Sequence, residues 1–412
     1  MSIETLRGSG SRKVLLNKKG QQFLRRLDRF GYRFTAHLFY PVSRLLVLIF
    51  RKRKGDGVLH ISTLTHQPYV ITRHLRAQGL RADYLAKGEG WLSYDEKGWD
   101  FRMARVWLPG PARYLYEFWW AWRLYPKYEV VHSHFLQLIG SGFWELGLLK
   151  RMDKKIFFHF RGDDVRRKEI NKKLNPGLNC CQECDYPENY CHDPHKDSLA
   201  ELAKKYGDLL LVTTPDLKDF VPHATHFPFM LPELPDQSPP NSERKGQEGV
   251  IKVLHVTNHE GLDGTRHIVE AVHRLREGGY AIDLVMPKRV PFQEMLRLYK
   301  EADLTIGKLT MGYYANAQIE SMYFGLPTLC YIREAFLKEI PDCPIINVRP
   351  DNLYEKLKYY LAHRDELAEI GRRGPDFVRK YHSGPLVARR LIEMYQRNHR
   401  PDSTEGGKRA MR

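Results

Sequence analysis

Short apolar runs alternate with longer amphipathic stretches through most of this 412-residue chain, and the alternation is interrupted once. Buried-strand runs fall at 57–62 (GVLHIS), 130–135, 156–160 and 209–213. A helical pattern follows the first of them at 69–78, and an apolar helix is predicted near 138–150. Five prolines (228, 232, 235, 239 and 240) and a polar run then break the rhythm across 227–249, the composition of a linker. The alternation resumes with strands at 251–256, 282–286, 304–306, 328–332 and 345–348. Helices are predicted between them, at 265–276, 292–302 and after 315, with more from 351 onward. Strands and helices alternating at this spacing predict parallel, doubly wound sheets. The fold class is therefore α/β: two Rossmann-like domains facing across a cleft, one over 55–226 and one over 250–380. A terminal helix at 381–396 and a basic tail at 397–412 complete the chain. Ligands of such a pair sit at the carboxyl ends of the strands.

The formal net charge of +17 belongs to the ends. Residues 1–54 carry fourteen Lys/Arg against Glu4 and Asp28, and 397–412 carry five against Asp402 and Glu405, so the body has only +2. That argues against a nucleic-acid partner, which calls for basic charge over a folded face. In the N-terminal extension, basic positions come first, then apolar ones at 38–41 and 45–50, closed by Arg51, Lys52, Arg53 and Lys54. No uninterrupted apolar run reaches the roughly 18–20 residues of a bilayer span, because Pro41 and Arg44 break the best one. No small-residue cleavage site follows it. A basic amphipathic anchor on an anionic membrane surface accounts for charge and apolar length together. It predicts a cytoplasmic protein, peripheral on the inner face of the membrane. An extra helix packed on the first domain, or a partly disordered basic extension, would carry the same residues.

The segment 301–332 (EADLTIGKLTMGYYANAQIESMYFGLPTLCYI) holds the most chemistry. Asn316 is placed to cap its helix, and Glu320 then lies one turn inside. The preceding strand and loop aim backbone N–H groups and the positive helix end at one point, which suits a phosphate. A carboxylate one turn in accepts hydrogen bonds from two ribose hydroxyls. Both features suit a nucleotide.

The pattern AD-φ-x-I-x-x-L-x-x-G-x-Y followed by IE-S-M-x-x-G-L-P-T resembles the donor-site signature of glycosyltransferase group 1. Those are the retaining nucleotide-sugar enzymes of GT-B fold. The resemblance implies a GT-B architecture whose terminal helix crosses back onto the first domain. It implies a UDP- or GDP-type nucleotide sugar as donor substrate and no cofactor for the chemistry. Glu320 would bind the donor ribose, and the loop with Lys308, Gly312 and Asn316 the phosphates. The family usually has a second Glu at the position of Gly312 and a Lys at that of Asp263. After Asp263, G-T-x-x-I-x-x-A-x-x-x-L resembles the helix start beside the donor pyrophosphate. That brings in Thr265, as ligand or helix cap, and Arg266; Arg266, Lys288 or Lys308 would replace the missing Lys. In the first domain, FFHFRGDDVR (157–166) resembles the strand end F-H-x-H-G-S-D-x-R. His159, Arg161 and Asp164 are the candidates there to face the transferred sugar or the acceptor. A salt bridge between Asp164 and Arg166 that shapes the loop is the other reading. His132 and His134 resemble the family's V-H-x-H, where alternate histidines bind metal, satisfy backbone groups or line a cleft.

Four of the six cysteines fall within twelve residues, in NCCQECDYPENYCHDPH. Cys181 and Cys184 have zinc-ribbon spacing and Cys191 follows; Cys180, His192 or His195 would complete a closed, structural zinc site within an insertion at 180–195. Free thiols are the alternative. Together the sequence predicts a glycosyltransferase, moving a sugar from a nucleotide-diphosphate donor to a glycan or lipid-linked acceptor at the membrane surface, in cell-surface polysaccharide synthesis. A non-catalytic, glycan-binding or scaffolding relative is the alternative raised by Gly312, Asp263 and Arg161.

Overall fold

A computed structural model of the protein describes residues 18–51, 55–88, 98–104, 106–187, 191, 193–235, 249–288 and 290–397. His192, most of the predicted linker and the basic tail lie outside these residues. The chain enters through a long helix, α1 (Lys18–Phe50). The first domain then runs β1 (Val58–Thr63), α2 (His66–Ala77), β2 (Ala82–Lys87), β3 (Phe101–Met103), α3 (Gly110–Leu124) and β4 (Val130–His134). It continues with α4 (Leu146–Arg151), β5 (Lys155–Phe160), α5 (Lys168–Leu174), α6 (Asp193–Tyr206), β6 (Leu209–Val212) and β7 (Thr225–His226). All seven strands are parallel in the order β3-β2-β1-β4-β5-β6-β7. The central runs are apolar on both sides because helices cover both faces; Leu59, Ile61, Val131, Phe157 and Phe158 are all fully buried.

The second domain runs β8 (Ile251–Leu254), α7 (Glu260–Asp263), α8 (Thr265–Glu277), β9 (Ile282–Val285), α9 (Phe292–Glu301), β10 (Leu304–Ile306) and α10 (Asn316–Tyr323). Then come β11 (Thr328–Cys330), α11 (Glu334–Leu337), β12 (Ile346–Asn347), α12 (Leu353–Ala362) and α13 (Arg364–His382). Its parallel sheet has the order β12-β11-β10-β8-β9. The strand order therefore reverses between β1 and β4 in one domain and between β8 and β10 in the other. Each reversal opens a crevice at the carboxyl ends of the strands. The last helix, α14 (Gly384–Arg397), lays Val387, Ala388, Leu391 and Tyr395 into the first domain's core beside Val58, Val70 and Ile71.

Three local departures from the sequence reading have physical causes. The predicted helix at 138–150 forms only at α4. Before it, Glu145 accepts the N–H of Gly140 (2.5 Å) and Glu117 that of Ser141 (3.0 Å), so buried carboxylates hold the backbone in place of helical carbonyls. The strands β2 and β3 and the aromatic helix α3 carry no clean periodicity and are new. Of the N-terminal extension, the described part forms one continuous helix, Lys18–Phe50, through Pro41, and over Gln22–Phe50 it is long and apolar enough to cross a membrane by length and composition. One side of it is seated on α3, where Asp28 accepts from the Gly110 N–H (2.5 Å) and Arg113 (2.9 Å), and Tyr32 donates to Glu117 (2.5 Å).

Candidate functional site

The two crevices face each other and enclose a cavity of about 560 Å³. The first domain contributes Thr63, Arg161 and Asp164 to its wall, and the second Lys308, Tyr313 and Tyr314. On the first side the loop after β5 is built around carboxylates. Asp164 accepts from the backbone N–H of Arg161 (3.1 Å) and Gly162 (2.8 Å). Burial raises its pKa to about 6 against the pull of those two donors. Arg166 does not pair with Asp164. It is buried and reaches Asp216 (2.7 Å) and Asp163 (3.3 Å), so those two acids are what anchor the loop.

Beneath Arg161 lie four packed histidines: His60 from β1 and His132 and His134 from β4 are stacked, and His159 from β5 is tilted against them. Arg161 Nη2 donates to His134 Nδ1 (2.8 Å), so His134 carries its proton on Nε2 and gives it to His60 Nδ1 (3.0 Å). A second chain starts at α14: Tyr395 bonds His132 Nδ1 (2.6 Å), His132 Nε2 meets His159 Nδ1 (3.3 Å), and His159 Nε2 meets Thr213 (3.1 Å). Thr213 donates onward to the Phe160 carbonyl (3.1 Å), which orients the whole chain. Burial, then neighbouring positive charge, pushes His132, His134 and His159 well below the usual imidazole range, and His60 to about 3. These are neutral rings in fixed tautomers. His60, His132 and His134 bring ligand atoms within 4.8 Å of one another. Their acceptor lone pairs, however, are already used in the two chains, so the stack acts as a polar floor for Arg161. Burial also lowers Arg161, to about 9. His159 is 1% exposed and sits in this floor, while Arg161 and Asp164 reach the cavity.

On the second side, Asp263 occupies the end of α7 and pairs with Lys308, whose loop follows β10. Thr257 donates to the same carboxylate (2.7 Å). The acid at 263 and the lysine at 308 thus neutralise each other at the cavity wall. Thr265 does not cap α8: Gly264, in the left-handed region (φ 79°), is the cap residue, and the Thr265 hydroxyl meets His255 Nε2 (2.8 Å). Asn316 is the first residue of α10 rather than its cap; Ala315 precedes the helix, its N–H held by Gln318 (2.9 Å). Asn316 instead accepts from Gln67 of the first domain (3.3 Å). Gly312 has φ 85°, and a Cβ there would press on the side chain of Arg333 (2.8 Å), so a bulkier residue would need Arg333 to move. Glu320 is 7% exposed and accepts from the Tyr299 hydroxyl (2.9 Å), behind the positive end of α10. His66 opens α2 and faces a separate cavity of about 280 Å³ with Arg73 and Phe292.

The cysteine-rich stretch reaches across to the second domain. Glu183 accepts from Arg266 (2.5 Å) and meets His267 (3.1 Å), and Tyr186 bonds His259 (3.0 Å). Arg266 is thereby engaged by the insertion. Cys180, Cys181, Cys184 and Cys191 are free thiols, and no three of them bring their sulfurs within 4.8 Å of one another. Asn171 donates to Cys180 (3.4 Å) and Cys181 (3.2 Å), and Lys196 to Cys191 (3.6 Å). Tyr186, His259 and Lys196 all line the cavity and were not foreseen. Tyr313 and Tyr314, also in the wall and not named as candidates, did have a signal in the sequence, since they follow Gly312 in the donor-site pattern.

No family model and no curated protein matches the chain in sequence. Solved structures do match in shape. Sucrose-phosphate synthase from Thermosynechococcus elongatus aligns at TM-score 0.54 and 13% identity, over 83% of this chain and 98% of that one. HepE from Anabaena, in complex with UDP, aligns at TM-score 0.56 and 9% identity, over 83% of this chain and 100% of that one. The fold is GT-B. An α-glucosyltransferase in complex with UDP and a 13-mer DNA shares it at TM-score 0.52 and 9% identity, over 83% and 100% of the two chains. In this GT-B chain the cavity therefore lies between the two Rossmann-like domains.

Proposed function

We propose that this protein is a glycosyltransferase that moves a sugar from a nucleotide-diphosphate donor to a glycan or lipid-linked acceptor. The observation that carries the reading is the cavity at the carboxyl ends of both sheets, walled by both domains of a GT-B fold. The UDP and UDP-glucose bound to HepE support a nucleotide sugar as the substrate class. In this reading the second domain takes the nucleotide, with Glu320 on the ribose and the 308–316 loop on the phosphates. Arg161 and Asp164 face the transferred sugar or the acceptor, and His134 positions Arg161 from below, with His159 beside it in the floor. Transfer proceeds with retention, the departing diphosphate being stabilised by fixed electrostatics, and closure of the cleft excludes water. The membrane surface and cell-surface polysaccharide synthesis are the setting in which such an acceptor is met. A structural zinc in the cysteine insertion would need these thiols drawn together from their separate positions, and such a closed site would take no part in transfer.

The mutual neutralisation of Asp263 and Lys308 favours a second reading, in which the cleft binds a glycan or nucleotide sugar without turnover. A thermal-shift screen against UDP-, GDP-, ADP- and dTDP-sugars, with Glu320→Gln as control, tests the first. One donor class raises the melting point of the wild type and not of the variant. Failure of every nucleotide sugar to stabilise the protein removes the transferase reading. Stabilisation without donor consumption, across an acceptor panel, selects the second.

A further inference from the structure

The sides of α1 differ in a way that its length alone does not explain. Positions 28, 32, 35, 39, 43 and 47 face the protein, where Tyr32, Thr35, Ser43 and Val47 are buried. At 3.6 residues per turn a different side carries Phe23, Leu27, Phe30, Phe34, Leu38 and Leu45, and these are 50–68% exposed. Along one flank, Arg26, Arg29, Arg33 and Arg44 are exposed. The one acidic residue of the helix, Asp28, is turned inward onto Gly110 and Arg113. The outward surface is therefore a long apolar stripe edged by cations without a compensating acid. Nearby α3 exposes Leu115 and Trp119, four residues apart, with the Arg123 guanidinium 4.9 Å above the Trp119 ring.

We infer that this outward surface of α1, assisted by Trp119 of α3, seats the protein on an anionic phospholipid bilayer, with α1 lying in the plane of the interface. The apolar stripe enters the acyl boundary while the arginine flank reaches lipid phosphates and Trp119 sits at headgroup level. Charge complementarity selects this occupant: an all-cationic rim matches a negative lipid surface. A transmembrane orientation is disfavoured by the packed side. Inserting α1 across the bilayer would tear Asp28 from Arg113 and Tyr32 from Glu117, or drag those charged groups into hydrocarbon. The inference stands independently of the transferase reading, since lipid binding needs no donor.

The test uses the full-length protein and flotation on phosphatidylcholine vesicles with and without phosphatidylserine. Wild type floats with the anionic vesicles, and added salt weakens the binding. Phe30→Gln/Phe34→Gln/Leu38→Gln alters side chains that contact solvent, so it keeps the melting point, and it lowers partitioning by about tenfold or more. Arg29→Glu/Arg33→Glu abolishes the preference for phosphatidylserine. The inference is overturned if wild type ignores anionic vesicles, or if the glutamine variant floats like wild type. It is also overturned if bound protein resists alkaline carbonate extraction, the mark of a span. A dimer in solution that the glutamine variant dissociates would assign the stripe to a second copy of the chain and overturn it as well.

Discussion

The pair formed by Asp263 and Lys308 makes the second domain's electrostatics testable, because its two members differ in burial. The Asp263 side chain is 2% exposed, whereas that of Lys308 is 22% exposed at the cavity wall. Lys308→Met strands a buried carboxylate that, among the described residues, keeps only the Thr257 hydroxyl as side-chain donor. Removing one partner of a buried pair costs about 3–5 kcal/mol. Asp263→Asn instead leaves an ammonium that water can reach, and the cost falls to about 1 kcal/mol. Circular dichroism melts and urea titrations read the two values; all seven tryptophans lie before residue 145, so tryptophan fluorescence alone would follow the first domain. The same pair predicts opposite effects on ligand. Asp263→Asn frees Lys308 for the diphosphate and raises its affinity about tenfold, the worth of one charge-assisted hydrogen bond. Lys308→Met raises nothing. Equal destabilisation by the two substitutions, or no gain in diphosphate affinity from Asp263→Asn, would refute the reasoning.

The histidine floor gives a pH signature. His60, His132, His134 and His159 are held neutral, so below their unfolded pKa of about 6.5 the unfolded chain binds protons that the native state does not. Each ring then withdraws about 1.4 kcal/mol of stability per pH unit of acidification, and that stability is fully present above pH 7. Asp164, whose folded pKa is raised to about 6, opposes this between about pH 4 and 6 by one proton. Urea midpoints therefore fall steeply from pH 7 to 5, and a flat profile would contradict the neutral stack. Glu320→Gln preserves size and the Tyr299 contact, so it changes stability by less than about 1 kcal/mol while weakening donor binding about tenfold; calorimetric titration measures the second effect. At Gly261 an added Cβ would meet the Glu183 carbonyl oxygen at 2.1 Å, so Gly261→Ala displaces the cysteine insertion from the second domain. Faster tryptic cleavage within 167–187 with an unchanged first-domain tryptophan signal is the expected result; unchanged cleavage would show that the insertion is not held there.

The fold was legible where periodicity was strong. β10 falls where the apolar triplet 304–306 places it, and α8 and α9 each differ from the predicted helix by one residue at one end. The strands β2 and β3 were not read because their alternation is weak, and α3 because its aromatic residues surround the helix. Local cap chemistry misled at Thr265 and Asn316, whose polar side chains satisfy tertiary partners, His255 and Gln67, in place of their own helix ends. The site was legible as two strand-end clusters, since strand alternation put His159 and Arg161 on one side. It could not reveal that His159 lies in the floor, or that Lys308 is already paired, because both facts depend on residues distant in sequence. Tyr186 reaches the cavity from the cysteine-rich stretch only through tertiary docking, which leaves no periodic trace.

Hydrogen–deuterium exchange of the full-length protein with each nucleotide sugar tests most directly whether the second domain holds a donor nucleotide. Binding slows exchange across 256–266 and 308–320, the segments that carry Asp263, Lys308 and Glu320, for at least one donor, and the Glu320→Gln variant loses that protection. Protection confined to the first domain, or none with any nucleotide sugar at saturating concentration, would contradict it.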